Sequence, residues 1–309
     1  MKFFGNAFLA RSCIMSGMTK ALIFLCLLLA VPCRADRLPF GTVFKGQDRF
    51  NRIVSLAKPQ AERLRKLPIG ERVAQFGQWL VGVPYKSYTL EIHDHVEAPS
   101  VNLAGLDCWT FFESALAFAR MSELPVDQWT PQTMLKFVEL DRYWNGRCDG
   151  TYLSRLHYLE DWARDNERRG YVSDLTRRLG GVNVSNAAVE MTNNWRGYRY
   201  MVNSASNRAG ISKLEARLRN EPLPMIPKSR VPAIESKLQS GDIISIVSRD
   251  GNAYGTSHVG IAYRQGGVVR FMHASSPRNH GQVVIDSRLS EYLERYRTHS
   301  GIMVARPVK

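Results

Sequence analysis

The stretch "GLDCWTFFESALAFAR", residues 105–120, sets a cysteine at the head of an apolar segment. Cys108, Phe111, Phe112, Ala115, Leu116 and Ala119 recur at helical spacing. One face is therefore apolar from its first turn, which predicts a helix packed into the domain body with Cys108 pointing inward. Asp107 is a favourable N-cap residue. A cysteine in the first turn lies near unpaired backbone N–H groups and the positive end of the helix dipole, both of which favour thiolate over thiol. The segment thus reads either as a nucleophile site or as a buried structural cysteine, and this helix alone leaves both open.

Around it, a chain of 309 residues with 44% apolar and 23% charged residues has the composition of a folded protein with one sizeable core. The formal net charge is +14; the first 35 residues hold four basic and no acidic side chains, which leaves +10 on the remainder. That excess suits an anionic partner such as nucleic acid, lipid headgroups or the bacterial cell wall, because net charge governs encounter without identifying the ligand. No compact basic run or stacking motif points to nucleic acid.

Near the N-terminus, "MTKALIFLCLLLAVPCRAD" has a lysine, an apolar run from Ala21 to Val31, a polar break and a small residue at Ala35. This is the pattern of a signal peptide over residues 1–35, with Met15 and Met18 as alternative starts. The run is too short to span a bilayer comfortably, so a secreted or periplasmic protein without stable membrane insertion is expected. Pro32 before Cys33 argues against a lipoprotein. Removing the leader takes away Cys13, Cys26 and Cys33 and leaves Cys108 and Cys148. A disulfide between these two in an oxidising compartment would silence Cys108 as a nucleophile.

The rest, residues 36–309, reads as a single catalytic domain. "RFNRIVSLAK" and "IGERVAQFGQWLVGVPY" are amphipathic helices, the second ended by Gly82 and Pro84. "YKSYTLEI" alternates like a strand and runs into the loop "HDHVEAPSVNLAGL". Residues 121–220, with "TYLSRLHYLEDWARDNERRG" and "GISKLEARLRN", read as a mainly helical insertion or cap. Pro222, Pro224, Pro227 and Pro232 suggest a stiff linker. From Gly241 onward, "DIISIVS", "SHVGIAYR", "VVRFMHAS", "QVVID" and "GIMVARP" read as strands of a small antiparallel sheet, with one helix at "RLSEYLERYR".

Two histidines in that sheet supply candidate partners for the cysteine. Gln265-Gly266-Gly267 is a strong hairpin signal between "TSHVGIAYR" and "FMHASS". A two-residue Gly-Gly loop pairs position 260 with 273 and makes His258 and His273 diagonal neighbours on one face. A four-residue loop would place them directly opposite, and a three-residue loop on opposite faces. Gly260 and Ala262 flank His258 on its face, and their small size suggests the groove in which the Cys108 helix lies. The constellation then has Cys108 as nucleophile, His258 as general base and His273 orienting the second nitrogen of that base.

The order of Cys108 helix, "GDIISIV", "SHVGIAYR" and "FMHASS" resembles the NlpC-like cell-wall cysteine peptidases and amidases, whose fold is papain-like. "VPYKSYTLE", "NLAGLDCWTFFESALAFAR", "SRLHYLEDW" and "VVID" resemble more narrowly the N-acetylmuramoyl-L-alanine amidase-like branch, over roughly residues 45–306. The resemblance implies an α+β fold with the cysteine helix packed on a small antiparallel sheet, a peptidoglycan or muropeptide substrate, and no cofactor. It implies Cys108, His258 and His273 as the catalytic residues. Tyr85 matches an aromatic lining the family's site, Ser257 flanks the base where substrate peptide is met, and Trp109 follows the nucleophile with its N–H available to an oxyanion. Cleavage between D-glutamate and a diamino acid, and an inactive wall-binding protein, are the alternative readings.

The remaining histidines read as follows. "EIHDHVE", with His93, His95, Asp94 and Glu97, invites a metal reading but lacks the H-E-x-x-H helix, and a solvated loop is the plainer expectation. His157, among Leu153, Leu156 and Leu159, reads as a structural helix residue, and His280 and His299 read as loop residues.

Overall fold

The computed structural model describes residues 38–309. The expected leader and its three cysteines lie outside the described residues. Helices α1 (Gln47–Ala57), α2 (Ile69–Trp79) and α3 (Cys108–Met121) are followed by α4 (Pro131–Arg142), α5 (Leu159–Arg168), α6 (Ala205–Arg219) and α7 (Leu289–Glu294). Strands β1 (Val172–Asp174), β2 (Val182–Val184), β3 (Leu223–Pro227), β4 (Ile243–Asp250), β5 (Ala253–Gln265), β6 (Val268–Ala274), β7 (Val283–Arg288) and β8 (His299–Pro307) form one sheet. Its order is β2-β3-β8-β4-β5-β6-β7, with β1 also paired to β8, and its pairings are antiparallel. The class is α+β. Among the described residues no helix is long and apolar enough to cross a membrane.

Alternation along the strands gives the sheet two apolar faces. Val259, Ile261, Met272 and Ala274 face Phe111, Phe112, Ala115 and the rest of α3 in the main core. Ile244, Ile246, Ala262 and Phe271 face Leu289, Tyr292 and Leu293 of α7 on the other side. The cysteine helix therefore does not use the groove beside Gly260 and Ala262 that the sequence suggests. A Cβ on Gly260 would lie 2.6 Å from the Met272 carbonyl oxygen and 2.7 Å from the Phe271 ring, so the space glycine leaves is filled by Phe271. The small residue serves packing within the sheet.

Three further expectations change. "YKSYTLEI" forms turns with an isolated bridge between Tyr85 and Leu106, because it wraps along the mouth of a cleft where no partner strand extends. Within the proline-rich segment, Leu223–Pro227 is strand β3, held between β2 and β8; Pro224 lies in it opposite Asn183, Pro227 ends it, where the missing N–H costs little, and Pro232 lies in a short helix beyond. The region 121–220 is mainly helical but also lends β1 and β2 to the sheet. It carries a separate apolar cluster that includes Tyr152, Tyr158, Met191, Tyr200, Ile211 and Leu218.

Candidate active site

Helix α3 begins as its sequence predicts. The Asp107 carboxylate accepts the Thr110 N–H at 2.8 Å and the Thr110 hydroxyl oxygen accepts the Asp107 N–H at 3.0 Å, a reciprocal capping box. Cys108 in the first turn is half-buried and carries a free thiol. Burial pushes that thiol up to about 12, and the Asp107 carboxylate adds to the effect. The N–H groups of Val259, Trp109 and Cys108 itself pull the other way without overcoming it. Desolvation thus works against the thiolate that the helix start favours, and the nearby N–H groups do not offset it. Cys148 is buried, its thiol donating to the Glu97 carbonyl at 3.6 Å.

Trp109 is fixed from behind. Its indole N–H donates to Glu113 Oε1 at 2.7 Å, and Glu113 receives Nη2 and Nε of Arg142 on Oε2 at 2.7 and 3.0 Å. Arg142 also donates to the Ser100 carbonyl at 2.9 Å. Burial pushes the Glu113 carboxyl up while the guanidinium pulls it back; with two guanidinium N–H donors on one oxygen, the pair stays ionic.

The sheet brings the two histidines together. Gln265 pairs with Val268 across a two-residue Gly266-Gly267 turn, with φ of +56° and +82°, as a hairpin of this length requires. His258 and His273 are then diagonal neighbours, and His258 Nε2 lies 2.7 Å from His273 Nδ1. The β4–β5 ladder slips at Ser257, which opposes no residue of its own between Ile246↔His258 and Val247↔Thr256. Such a bulge re-aims the adjoining side chains. Burial holds the His258 imidazole well below its usual range, helped by the neighbouring His273 and His299. His273 is 2% exposed, stacks on Phe271 at 4.7 Å, and is also held below the usual histidine range by burial.

A cleft of about 640 Å³ is lined by Tyr85, Cys108, Trp109, Ser257 and His258, while His273 lies buried behind His258. Burial raises the Tyr85 phenol to about 12, and Cys108 is the next contributor, so the hydroxyl keeps its proton. Ser257 Oγ lies 2.6 Å from Ser248 Oγ at the rim. The far wall comes from the 121–220 region: Arg155, His157, Glu190 and Tyr198. Arg155 is tied to Glu91 at 3.0 Å, and the Tyr198 hydroxyl lies 2.9 Å from both oxygens of Glu190.

Several side residues are also relocated. His157 precedes α5, donates Nε2 to the Tyr152 carbonyl at 2.9 Å and lines the cleft, so it is no helix-interior residue. His299 opens β8 and is buried against Tyr292 and Tyr296, not a loop residue. In the "EIHDHVE" loop, His93 Nδ1 accepts the N–H groups of His95 and Val96 at 3.0 Å each, and Asp94 pairs with Arg199. The loop is held by these hydrogen bonds and by anchors from outside it, the Tyr200 hydroxyl to the Val96 carbonyl at 2.8 Å and the Tyr143 hydroxyl to Glu97 at 2.6 Å. Sequence reading missed Arg155, Glu190 and Tyr198 on the far wall, and it missed Asp286, whose Oδ2 lies 3.4 Å from His273 Nε2. Its signal was the alternation Val284–Asp286, which shares the His273 face, but the connection 275–282 hides that register from the sequence.

Known proteins resemble this chain in sequence and in fold. An N-acetylmuramoyl-L-alanine amidase from Bacteroides uniformis is 28% identical, covering 78% of this chain and 99% of its own at a TM-score of 0.68. A Bacteroides fragilis protein described as a candidate xylanase is 31% identical, covering 75% of this chain and 99% of its own at a TM-score of 0.66. A Legionella pneumophila protein is 20% identical over 85% of this chain and 95% of its own, with a TM-score of 0.62, a likeness of fold. No functionally curated protein matches the chain. The sequence family described as N-acetylmuramoyl-L-alanine amidase-like matches residues 75–302, and by that extent the chain belongs to this family.

Proposed function

We propose that the protein is an exported cysteine amidohydrolase of peptidoglycan, with an NlpC-like, papain-like core, that cleaves the N-acetylmuramoyl-L-alanine bond of muropeptides. The observation that carries the reading is the joint placement of Cys108 and His258 in one cleft with His273 2.7 Å behind the base. With burial disfavouring the thiolate, nucleophile activation falls to His258: the ring nitrogen not bonded to His273, Nδ1, takes the Cys108 proton as sulfur attacks the amide carbonyl. Asp107 accepts the Thr110 N–H most directly and also feels that of Trp109; the N–H groups of Cys108 and Trp109 near the sulfur are the donors for the oxyanion, Trp109 turning from Asp107 to do so. His258 then protonates the departing amine, and water attacks the thioester with the imidazole again as base. Tyr85 and Ser257 meet the substrate at the rim.

The carboxylates of the cleft are otherwise committed, Asp107 to its cap, Glu91 to Arg155 and Glu190 to Tyr198, which favours thiol chemistry over the paired-acid chemistry of a glycosidase. The wall built from residues 155–198 supports a preference for soluble muropeptides over intact sacculus. Mass spectrometry of a defined muropeptide set after incubation with the mature protein tests the reading. Free peptide and unsubstituted N-acetylmuramic acid, lost in Cys108→Ala, are expected. A dipeptide left on the sugar would replace it with the D-glutamyl-diamino acid endopeptidase, and no cleavage would favour a wall-binding protein.

A further inference from the structure

Behind the proposed base pair lies a buried carboxylate that the mechanism above does not use. Asp286 Oδ1 accepts the Ser287 N–H at 2.6 Å and the guanidinium of Arg295. Its Oδ2 lies 3.4 Å from His273 Nε2 and 3.7 Å from the more exposed His280 Nε2. The side chain is 8% exposed. We propose that Asp286 is a positioning residue that fixes the protonation pattern of both histidines, so that His258 Nδ1 is the basic nitrogen offered to Cys108.

The inference follows from donor and acceptor counts. Hydrogen bonds from His273, Arg295 and Ser287 hold the Asp286 carboxyl well below the usual carboxylate range against the cost of burial, so it is ionised and only accepts. The ring has two acceptors beside it, this carboxylate 3.4 Å from Nε2 and the Ala274 carbonyl, and the charged one claims the proton on Nε2. Burial keeps His273 neutral, which leaves Nδ1 as an acceptor. The 2.7 Å contact can form only if His258 donates from Nε2, and neutral His258 is left with its lone pair on Nδ1. When Cys108 gives up its proton, the S–H bond breaks, an Nδ1–H bond forms on His258, and no other reactant is needed. The resulting imidazolium keeps its Nε2–H aimed at His273, whose ring packs against Phe271 at 4.7 Å and Tyr292 at 5.1 Å. A pair of hydrogen-bonded histidines without the carboxylate would have two tautomer patterns, and one of them places a proton on His258 Nδ1.

The inference rests on the hydrolase reading for its consequence but not for its geometry, and two variants test it. In Asp286→Asn the Arg295 and Ser287 donors still claim the oxygen. The amide nitrogen then turns to His273 and donates to Nε2, which reverses both tautomers. In Asp286→Ala water takes the position and neither pattern is imposed. The expected result is that Asn is the more damaging change: about 10³-fold loss in kcat against roughly 10-fold for Ala, with KM changed by less than about threefold. A carboxylate with only a packing role gives the opposite order. Histidine 15N NMR of the mature chain should show His273 protonated on Nε2 in wild type and on Nδ1 in the Asn variant. The rate of Cys108 alkylation by iodoacetamide, which needs no substrate, should fall in the same order as kcat. If wild type leaves muropeptides intact while the NMR and alkylation results hold, the hydrolase reading fails and the relay stands. If wild-type His273 carries its proton on Nδ1, or Ala is as damaging as Asn in alkylation, the relay is overturned.

Discussion

The two walls of the cleft solve the same problem, a polar group buried behind a reactive one, in opposite ways. Behind Trp109 on the helix side stands a full ion pair, Glu113 with Arg142, 1% and 2% exposed in their side chains. Behind His258 on the sheet side stands a run of neutral rings that meets a charge only at Asp286 and the partly exposed Arg295. A guanidinium–carboxylate pair of this kind is rigid and has no proton to give, because arginine stays protonated at any working pH. It can fix an indole and orient the first turn of a helix. The histidine side can move a proton while its heavy atoms stay still. The comparison separates scaffold from proton path within one site, and it says where substitutions should cost stability and where they should cost rate.

The largest effect tests the scaffold wall. Glu113→Ala leaves Arg142 charged, buried and without its partner, and should lower unfolding free energy by about 3–5 kcal/mol, seen as a drop in the urea midpoint. A midpoint within experimental error of wild type would erase the distinction between the walls. On the other wall, His273→Ala should lower kcat by about 10²-fold while stability falls by about 1–2 kcal/mol, since the ring is buried but neutral. A loss of stability as large as that of Glu113→Ala would make the sheet side scaffold as well. Smaller again is Trp109→Phe. It removes one donor to Glu113 but leaves both Arg142 contacts, so about 1 kcal/mol of stability and a rise in KM larger than the fall in kcat are expected from urea titration and steady-state kinetics.

The weakest effect separates the walls by pH. Burial depresses the imidazoles of His258 and His273, and that of His299 to about 4. A folded state that resists protonation in this way contributes stability that is fully present above about pH 6.5 and is lost as pH falls through that value toward the folded pKa. Thermal unfolding should therefore shift to lower temperature between about pH 6.5 and 4, and replacing His299 by Gln should flatten that slope. Activity should persist down to pH values clearly below 6.5, because His258 stays neutral there. An acid limb centred at or above 6.5 would contradict the buried, neutral base.

Legibility in the sequence was uneven for reasons that follow from range. Asp107, Cys108 and the apolar stripe of α3 were readable because a helix start is written within four residues. The pairing of His258 with His273 was readable up to the loop length, because a strand has period two and a two-residue glycine turn then fixes register. The side of the sheet on which α3 packs was misread. Both faces are apolar, and the small residues at 260 and 262 fit a ring as well as a helix. The strand expected at "YKSYTLEI" failed because alternation alone does not supply a partner, and His157 and Glu190 entered the cleft from a region that looked like a remote cap.

By itself the sequence determined the capped cysteine helix and the antiparallel hairpin, since each is written in short-range periodicity and turn residues; it left the loop length open, and the observed two-residue turn brought the two histidines to one face. Only the tertiary structure decided that burial works against the Cys108 thiolate, that Asp286 stands behind His273 and that Arg155 and Tyr198 help wall the cleft. Those features depend on burial and on register across long connections, and desolvation is a property of everything packed around a group and not of its neighbours in the chain.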